Sequence, residues 1–330
     1  MPKPRQRVTL TDVAKLCGVT PATVSRVLNG KTEFSASEAV RLRIVETAHK
    51  LGYVPDLSAR NLNRRETHMG EGINDSLLDG IAEVLHAQNF DVFFELAAGS
   101  EDRPPLPFWR FDGAILIQSP RPSTVAELDR RKVPYVCVNE QVGKPVASVL
   151  ADDAMGMRRA VDHLAALGHK RIAYANARGV YFSHYSVGER YETLLGHARA
   201  RGLHVVDGHD TPFNSPDDFI DAAITRGRAT AVVTYDHRIA VSLIGGAQGA
   251  GLRIPDDFSL ICFNDVFPVA VLPTPLTAVA VSGREMGRVG ADLLLNELGG
   301  CSARPSKAIR VPEDLIVRAS TAPPPAASKG

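Results

Sequence analysis

The chain has 330 residues, of which 44% are hydrophobic and 23% charged, and its formal net charge at pH 7 is +1. This length predicts two or three domains. The sequence contains no run of about 18 apolar residues that could span a bilayer, which excludes a membrane protein. The basic amino terminus MPKPRQRVTL is followed by no apolar segment, so we expect no secretory signal, no lipid anchor and a cytoplasmic location.

The charge is distributed unevenly along the chain. Residues 1–65 contain 12 Lys and Arg against 5 Asp and Glu, a net charge of +7, which leaves 26 against 32, a net charge of −6, for the rest. Lysine and arginine gathered on one face release counterions from a phosphate backbone, so this basic segment indicates an anionic partner. The alternative interpretation is a solvated basic surface without a partner.

The cysteines give no indication of redox or metal chemistry. Cys17, Cys137, Cys262 and Cys301 lie far apart, with no CxxC pair and no histidine at the spacing of a metal site. We therefore interpret them as reduced structural thiols and expect neither a metal nor a cofactor.

The pattern of residues 9–51 predicts three short helices. The apolar residues of the first helix follow the spacing of one buried stripe and are Leu10, Val13, Ala14 and Cys17. Gly18 ends this helix, because a tight turn needs a residue that tolerates positive φ. Thr20 and Pro21 then suit the N-cap and the first position of the second helix.

Residues 20–29 sort into two stripes when they are placed on a helix. Val24, Val27 and Leu28 form the buried stripe, and the other face consists of Pro21, Ala22, Ser25, Arg26 and Asn29. Small side chains let a helix enter the major groove, Thr23 and Ser25 can bind phosphates, and Arg26 can reach guanine or a phosphate. The pattern predicts a helix-turn-helix with 20–29 as its recognition helix, and an ordinary helical hairpin is the alternative.

The third helix is predicted from about Ser37 to Leu51, with an inner face of Val40, Ile44, Val45 and Ala48. From about residue 77, short apolar runs alternate with helical patterns, and the predicted strands are 91–96, 113–118, 134–139, 170–176, 230–235 and 258–263. Such alternation indicates parallel sheets covered on both faces, and two sheets fit the length. Residues 99–109 are predicted to form a Pro-rich loop and 321–330 a disordered tail.

The run VTLTDVAKLCGVTPATVSRVLNG, followed by LGYVPDLSARNL, strongly resembles the amino-terminal domain of the LacI/GalR family of bacterial transcription regulators. The resemblance continues in FDGAILI, DHLAALGHKRIAYA, IPDDFSLICFND, PLTAV, EMGRVGADLL and VPEDLIVRAS, and therefore covers nearly the whole chain. It implies an all-α helix-turn-helix head and an α/β body of periplasmic-binding-protein type, with two doubly wound parallel-sheet subdomains around an effector cleft.

The resemblance also implies a domain order. The expected segments are a helix-turn-helix domain at 1–55, a hinge helix and linker at 56–66, an amino-terminal subdomain at 67–165 with 278–307, a carboxy-terminal subdomain at 166–277 with 308–320, and the tail. The partners it implies are a double-stranded DNA operator, a small-molecule effector such as a sugar, and a second copy of the chain.

The resemblance assigns site residues position by position. The DNA-binding positions are Thr20, Pro21, Ala22, Thr23, Ser25, Arg26 and Asn29 in the head and Ser58, Ala59, Arg60 and Leu62 in the hinge. Leu62 would be a minor-groove wedge, or alternatively a linker leucine packed on the body. The effector-binding positions are Arg190, Asp236, Asn264, Phe213, Tyr235 and Asp152, although Asp152 and Asp236 are equally suited to capping helices.

The sequence departs from the family pattern at several points. Thr193 replaces a usual glycine, Tyr235 a usual asparagine, and Asn264 a usual acid. No apolar strand is present between Thr67 and Ser76, and GSEDRPPLPFWRFDG replaces what is normally a full helix. The amino-terminal subdomain is therefore predicted to be shortened.

Enzymatic motifs are absent from the sequence. GxxxxGK(S/T), HExxH and GxSxG do not occur, and the Gly-rich run at 245–251 is predicted to end a helix. We therefore predict a sequence-specific DNA-binding transcriptional regulator that is not an enzyme, a repressor acting as a homodimer on a near-palindromic operator and modulated by a small metabolite. The alternative is a regulator of the same ancestry whose cleft senses no ligand, and a remote alternative is a metabolite-binding protein or sugar enzyme.

Overall fold

The computed structural model describes residues 10–28, 37–51, 73–93, 111–117, 122–141, 146–176, 184–206, 215–300 and 308–326. The contacts within the chain group into two compact units, one with the three amino-terminal helices and the other with every described strand. Among the described residues, no helix combines the length and the apolar character needed to cross a membrane.

The first unit contains three helices, α1 (Leu10–Cys17), α2 (Pro21–Leu28) and α3 (Glu38–Leu51). They enclose a small core of Val13, Ala14, Cys17, Val24, Ile44 and Ala48. Gly18 has a φ of 62°, and Thr20 accepts a hydrogen bond from the Thr23 amide at 3.2 Å, so the predicted turn and N-cap are confirmed. The predicted inner position of Val45 is wrong, because this side chain is 50% exposed while Val40, Ile44 and Ala48, four residues apart, face the core.

The second unit is built on two sheets. The first sheet is parallel and has the order β1 (Ala114–Ile117), β2 (Tyr135–Val138), β3 (Ser148–Ala151) and β9 (Ile309–Val311). Its helices are α4 (Ile73–Ala87), α5 (Pro122–Arg131) and α10 (Gly283–Leu298). Its buried core is formed by Leu77, Val136, Val138, Ala147, Val149, Ala151, Met286, Leu294 and Val311.

The second sheet has the order β10 (Asp314–Ile316), β8 (Thr277–Ala280), β7 (Ser259–Phe263), β6 (Ala231–Thr234), β4 (Arg171–Ala175) and β5 (His204–Val205). Only β10 pairs in the antiparallel direction among these described strands. Its helices are α6 (Asp153–Ala166), α7 (Tyr185–Ala200), α8 (Pro216–Ile220), which continues into a π-helical segment at Asp221–Arg226, and α9 (His237–Gly249). Separate cores cover the two faces of this sheet, so the predicted α/β architecture is confirmed.

Five of the six predicted strands are present within one residue of their predicted ends. In the sixth, at 91–96, residues 91–93 are not in a strand and the rest lies outside the described residues. Five strands were not predicted, namely β3, β5, β8, β9 and β10. They have between two and four residues, and local pattern carries little information about strands this short.

Core packing and strand pairing correct three of the predicted subdomain boundaries. Helix α6 was assigned to the first subdomain, but Met157, Ala160, Val161 and Leu164 pack into the core of the second sheet. Residues 278–280 pair in the second sheet and residues 309–311 in the first, the reverse of the predicted assignment.

The tail predicted from residue 321 is ordered at its start, because Thr321 and Ala322 bond to His163 and His169. The predicted hinge at 56–66, the loop at 99–109 and the missing strand at 67–72 lie outside the described residues.

Candidate functional site

The exposed side of helix α2 is the candidate surface in the first unit. Val24 is fully buried in the three-helix core, whereas Pro21 and Arg26 are exposed and Thr23 is half-buried. The Thr20 and Thr23 hydroxyls lie 2.9 Å apart at the start of the helix. Docking through Val24 therefore leaves a polar, positively charged surface outward. Ala22 and Ser25 are helical but their side chains are outside the description, as are the predicted positions Asn29, Ser58, Ala59, Arg60 and Leu62.

Two of the predicted effector residues cap helices in the second unit. Asp152 accepts a hydrogen bond from the Met155 amide at 2.9 Å and begins α6. Asp236 accepts a hydrogen bond from the Ile239 amide at 2.9 Å and begins α9, and its second oxygen pairs with Arg238 at 2.8 Å. The capping interpretation is therefore realised at both positions, where each carboxylate satisfies amides that a helix start leaves open.

Arg190 is the charged centre of the second unit. Its Nε donates to Asp153 at 2.5 Å, its Nη1 donates to the Tyr235 carbonyl at 2.6 Å, and its guanidinium lies 4.0 Å from the ring centre of Phe263. Burial opposes the charge, but the carboxyl groups of Asp153 and Glu313 hold the pKa of Arg190 above its ordinary value. Arg190 thus ties helix α7 to the amino-terminal end of α6 and to the end of β6.

The other predicted effector residues lie around these strand ends. The Tyr235 hydroxyl is 2.8 Å from the Ser186 hydroxyl, and burial raises the pKa of this phenol. Asn264 has a φ of 72°, and its buried Oδ1 has no hydrogen-bond partner among the described residues. Its neighbour Asp265 forms a two-pronged ion pair with Arg318 at 2.7 and 2.8 Å. Phe213 lies outside the described residues.

The start of helix α7 bridges the two sheets. His184 Nε2 lies 2.9 Å from the Asn139 carbonyl at the end of β2. The Tyr185 hydroxyl donates to Asn139 Oδ1 at 3.3 Å and accepts from the Ala151 amide at 3.2 Å. Farther along the helix, Glu189 pairs with Arg310 of β9 at 2.7 Å. These contacts hold the carboxyl ends of the two sheets together.

A cavity of about 470 Å³ opens between elements of the two sheets, where the segment after β7 faces the starts of α4 and α10. Its lining includes Ile73, Ser76, Asp265, Val266, Val281, Ser282, Gly283, Arg284, Glu285 and Arg288. None of the six predicted effector residues is among these, although Asp265 directly follows Asn264. Within the described ranges, no group of His, Cys, Asp and Glu side chains is arranged to hold a metal.

Comparison with known proteins covers both units. A model of the bacterial regulatory proteins of the lacI family matches residues 9–56, and a model of periplasmic-binding-protein-like domains matches residues 161–321. The HTH-type transcriptional regulator MalR of Streptomyces coelicolor is 30% identical over 350 residues, which span 96% of this chain and 97% of MalR. The chain belongs to the LacI family.

Other members of the LacI family show similarity of the same extent. The HTH-type transcriptional repressor MelR of Bacillus subtilis is 26% identical over 340 residues, spanning 95% of this chain and 97% of MelR. The solved complex of the transcriptional regulator CelR with cellobiose has a TM-score of 0.62 at 25% identity, covering 95% of this chain and 100% of CelR. The predicted class is confirmed: the chain is a DNA-binding transcriptional regulator of a family of non-enzymes.

Sequence reasoning missed Asp153 and Glu313, which surround Arg190 in this LacI-family body. Asp153 and Glu313 are fully buried, whereas charged residues next to a helix start or after a proline are ordinarily solvated. The doubled aspartate of Asp152 and Asp153 at a strand end was the one available signal, since only one of two adjacent side chains can cap the helix.

Proposed function

We propose that the chain is a repressor that binds a near-palindromic operator as a homodimer and is released or retained by a small polyhydroxylated metabolite, such as a sugar. The observation that carries the DNA-binding half is the orientation of helix α2, with Val24 buried, Thr23 half-buried and Pro21 and Arg26 exposed. A helix held in this way can enter the major groove with its amino-terminal residues toward the bases.

The mode of reading follows from the side chains on this surface. Pro21 and Ala22 offer no hydrogen bond to a base, so discrimination at their positions rests on methyl contact and groove shape, while Arg26 supplies a guanine or phosphate contact. One such helix reads only a half-site, and two copies of the chain are needed for a palindrome. The hinge residues Ser58, Ala59, Arg60 and Leu62 would extend the contact into the minor groove between the half-sites.

The test of DNA binding is a mobility-shift titration with the DNA next to the chain's own coding sequence. Arg26→Ala is expected to weaken specific binding by about 1–3 kcal/mol, or roughly 5- to 150-fold. Arg253→Ala is the matched control, because it removes the same charge from a side chain that is 72% exposed in the other unit. Equal binding of Arg26→Ala and the control would contradict the assignment of α2 as the recognition helix. A complex containing one copy would contradict the dimer.

The effector half of the proposal rests on the cavity between elements of the two sheets. Its volume of about 470 Å³ lies in the range of small-molecule sites, and its lining combines the hydroxyls of Ser76 and Ser282 with charged side chains. The relative CelR was solved in complex with cellobiose. A thermal-shift screen of sugars, polyols and uronates tests this half, since a ligand of the native state raises the melting temperature. Val266→Trp fills the cavity and is expected to abolish the shift while leaving DNA binding intact.

A second candidate function is a regulator whose body senses no ligand. It is favoured by the internal pairing of Arg190, Asp152 and Asp236, which directs these polar groups to the protein itself. In that case no compound of the screen raises the melting temperature, and Val266→Trp and the unaltered protein repress equally in every growth medium.

A further inference from the structure

Between the described strands, three chain segments cross from one sheet to the other, and they converge at one place. They are the segment between β3 and α6, the segment between β8 and α10, and the segment between β9 and β10. Ser282 of the second segment donates to the Pro312 carbonyl of the third at 3.3 Å. The next residue, Glu313, places its carboxyl group against Gly156 in the first turn of α6, where a Cβ atom would not fit. We call this meeting point the crossover, to distinguish it from the hinge helix predicted at 56–66.

Among the described residues, the crossover has more buried carboxyl groups than cations. Asp153 and Glu313 are fully buried, and Arg190 is 5% exposed. The surrounding charges are already paired, Glu189 with Arg310 and Asp314 with Arg159, while Asp152 caps α6. The groups that face Glu313 from the packed elements are Asp152 and Asp153 of α6, Glu189 and Arg190 of α7, and the backbone-bound Arg159. Within the described ranges, one buried cation therefore serves two buried carboxyl groups.

Several oxygens of this cluster have no hydrogen-bond partner among the described residues. They are Asp153 Oδ2, both carboxyl oxygens of Glu313, and the hydroxyl of Tyr174. A buried carboxylate without a partner costs several kcal/mol, and such groups ordinarily take up a proton instead. A proton on Glu313 would give this side chain a donor, and Asp153 Oδ2 is an acceptor in the same first turn of α6.

We infer that Asp153 and Glu313 hold one proton between them while the two sheets are bridged by the start of α7, and that opening of the cleft releases this proton. Burial and the neighbouring Asp153 both raise the pKa of Glu313 well above its ordinary value. The inference rests on the proposed function only for the opening and closing of the cleft. The proton itself depends only on the residues of the crossover.

The coupling to opening follows from what covers the cluster. Tyr185 is a half-buried residue of the bridge, and burial together with the charges of Asp153 and Glu313 raises the pKa of its phenol. When Tyr185 leaves Asn139 and Ala151, water reaches the carboxyl groups and the ionised form of Glu313 is no longer penalised by burial. Closed cleft and bound proton therefore favour each other, so low pH should favour the closed form.

The first experiment detects the proton directly in the full chain by infrared spectroscopy. At pH 7 the protein is expected to show the carbonyl band of a protonated carboxylic acid. Glu313→Gln should remove this band, and so should Asp153→Asn, because Glu313 can then ionise beside Arg190. Glu192→Gln, which removes an exposed acid from the same helix α7, should leave the band in place. Absence of the band in the unaltered protein, or its persistence in either of the first two variants, would overturn the inference.

The second experiment measures opening by energy transfer between dyes on Arg130→Cys and Arg226→Cys, two exposed positions in different subdomains, with Cys301→Ser to remove another thiol. The ratio of open to closed molecules should rise with pH, by up to tenfold per pH unit for one proton. In Glu313→Gln this dependence should disappear, while Glu192→Gln should keep it, because Glu192 is an exposed acid of α7. An equal dependence in Glu313→Gln and the unaltered protein would overturn the coupling. Neither experiment uses DNA or an effector, so its failure leaves the proposed function standing.

Discussion

Replacing Arg190 with methionine tests the role of the buried ion pair. The Arg190 side chain is 6% exposed and its partner Asp153 is fully buried, so the substitution leaves a carboxylate without a counter-ion in the interior. Loss of one partner of a buried pair costs about 3–5 kcal/mol. The carboxyl group can limit this cost by taking up a proton, which for an ordinary aspartic acid costs about 4 kcal/mol at pH 7 and about 1.5 kcal/mol at pH 5.

We therefore expect Arg190→Met to lower the free energy of unfolding by about 3–4 kcal/mol at pH 7 and by about half as much at pH 5. Urea unfolding followed by circular dichroism at the two pH values measures both losses. Arg253→Met is the matched control, since its 72% exposed side chain forms a surface pair and its loss should cost no more than about 1 kcal/mol. Adding Asp153→Asn to Arg190→Met should restore more than half of the loss. A loss equal to that of the control, or one that does not change with pH, would refute a buried uncompensated charge.

Two further predictions concern packing and pH. Gly287→Ala places a Cβ 3.0 Å from the carbonyl carbon of Leu77 on the neighbouring helix α4 and should lower the free energy of unfolding by about 1–3 kcal/mol. Gly196 lies within helix α7 and has open space around its Cβ position, so Gly196→Ala should raise the free energy of unfolding by about 0.5–1 kcal/mol. Melting temperatures that move in the same direction would contradict this difference. Burial lowers the pKa of His169 below its ordinary 6.5. The contribution of His169 to the free energy of unfolding is therefore fully present above about pH 6.5, and it decreases as the pH falls, by up to about 1.4 kcal/mol per pH unit. His169→Asn should flatten this acid slope in urea unfolding between pH 7.5 and 5.5, and an unchanged slope would exclude His169 as its source.

The elements that could be predicted from the sequence are those whose signals are local. Gly18, Thr20 and Pro21 lie within four residues of each other, and they determine the turn and the start of α2 through their own backbone preferences. The strands of the second sheet were predicted where they form near-continuous apolar runs, such as β4 and β7. The strand at Thr277–Ala280 was not predicted, because it has only four residues, two of them alanine, and is defined by its pairing with β7 and β10.

The charged cluster shows what local pattern cannot supply. Arg190 was predicted as a ligand contact from its position in the family pattern, but Asp153, which binds it, is 37 residues away in sequence. Glu313 follows a proline and precedes an aspartate, a context typical of an exposed turn. Its burial arises because three segments cross at the crossover. That crossing depends on which sheet each strand joins, and the predicted subdomain boundaries were wrong on this assignment.

The position of Ser282 links the cavity to the crossover. This residue lines the cavity, and its hydroxyl holds the Pro312 carbonyl immediately before Glu313. A ligand that took the Ser282 hydroxyl as its own donor would release Pro312, and Glu313 would lose one of the constraints that keep it against α6. Arg190 needs no direct contact with a ligand in this arrangement, because it already neutralises Asp153. The residues that respond to a ligand can therefore differ from those that touch it, and a substitution at Arg190 that abolishes the response would not by itself place the ligand beside Arg190.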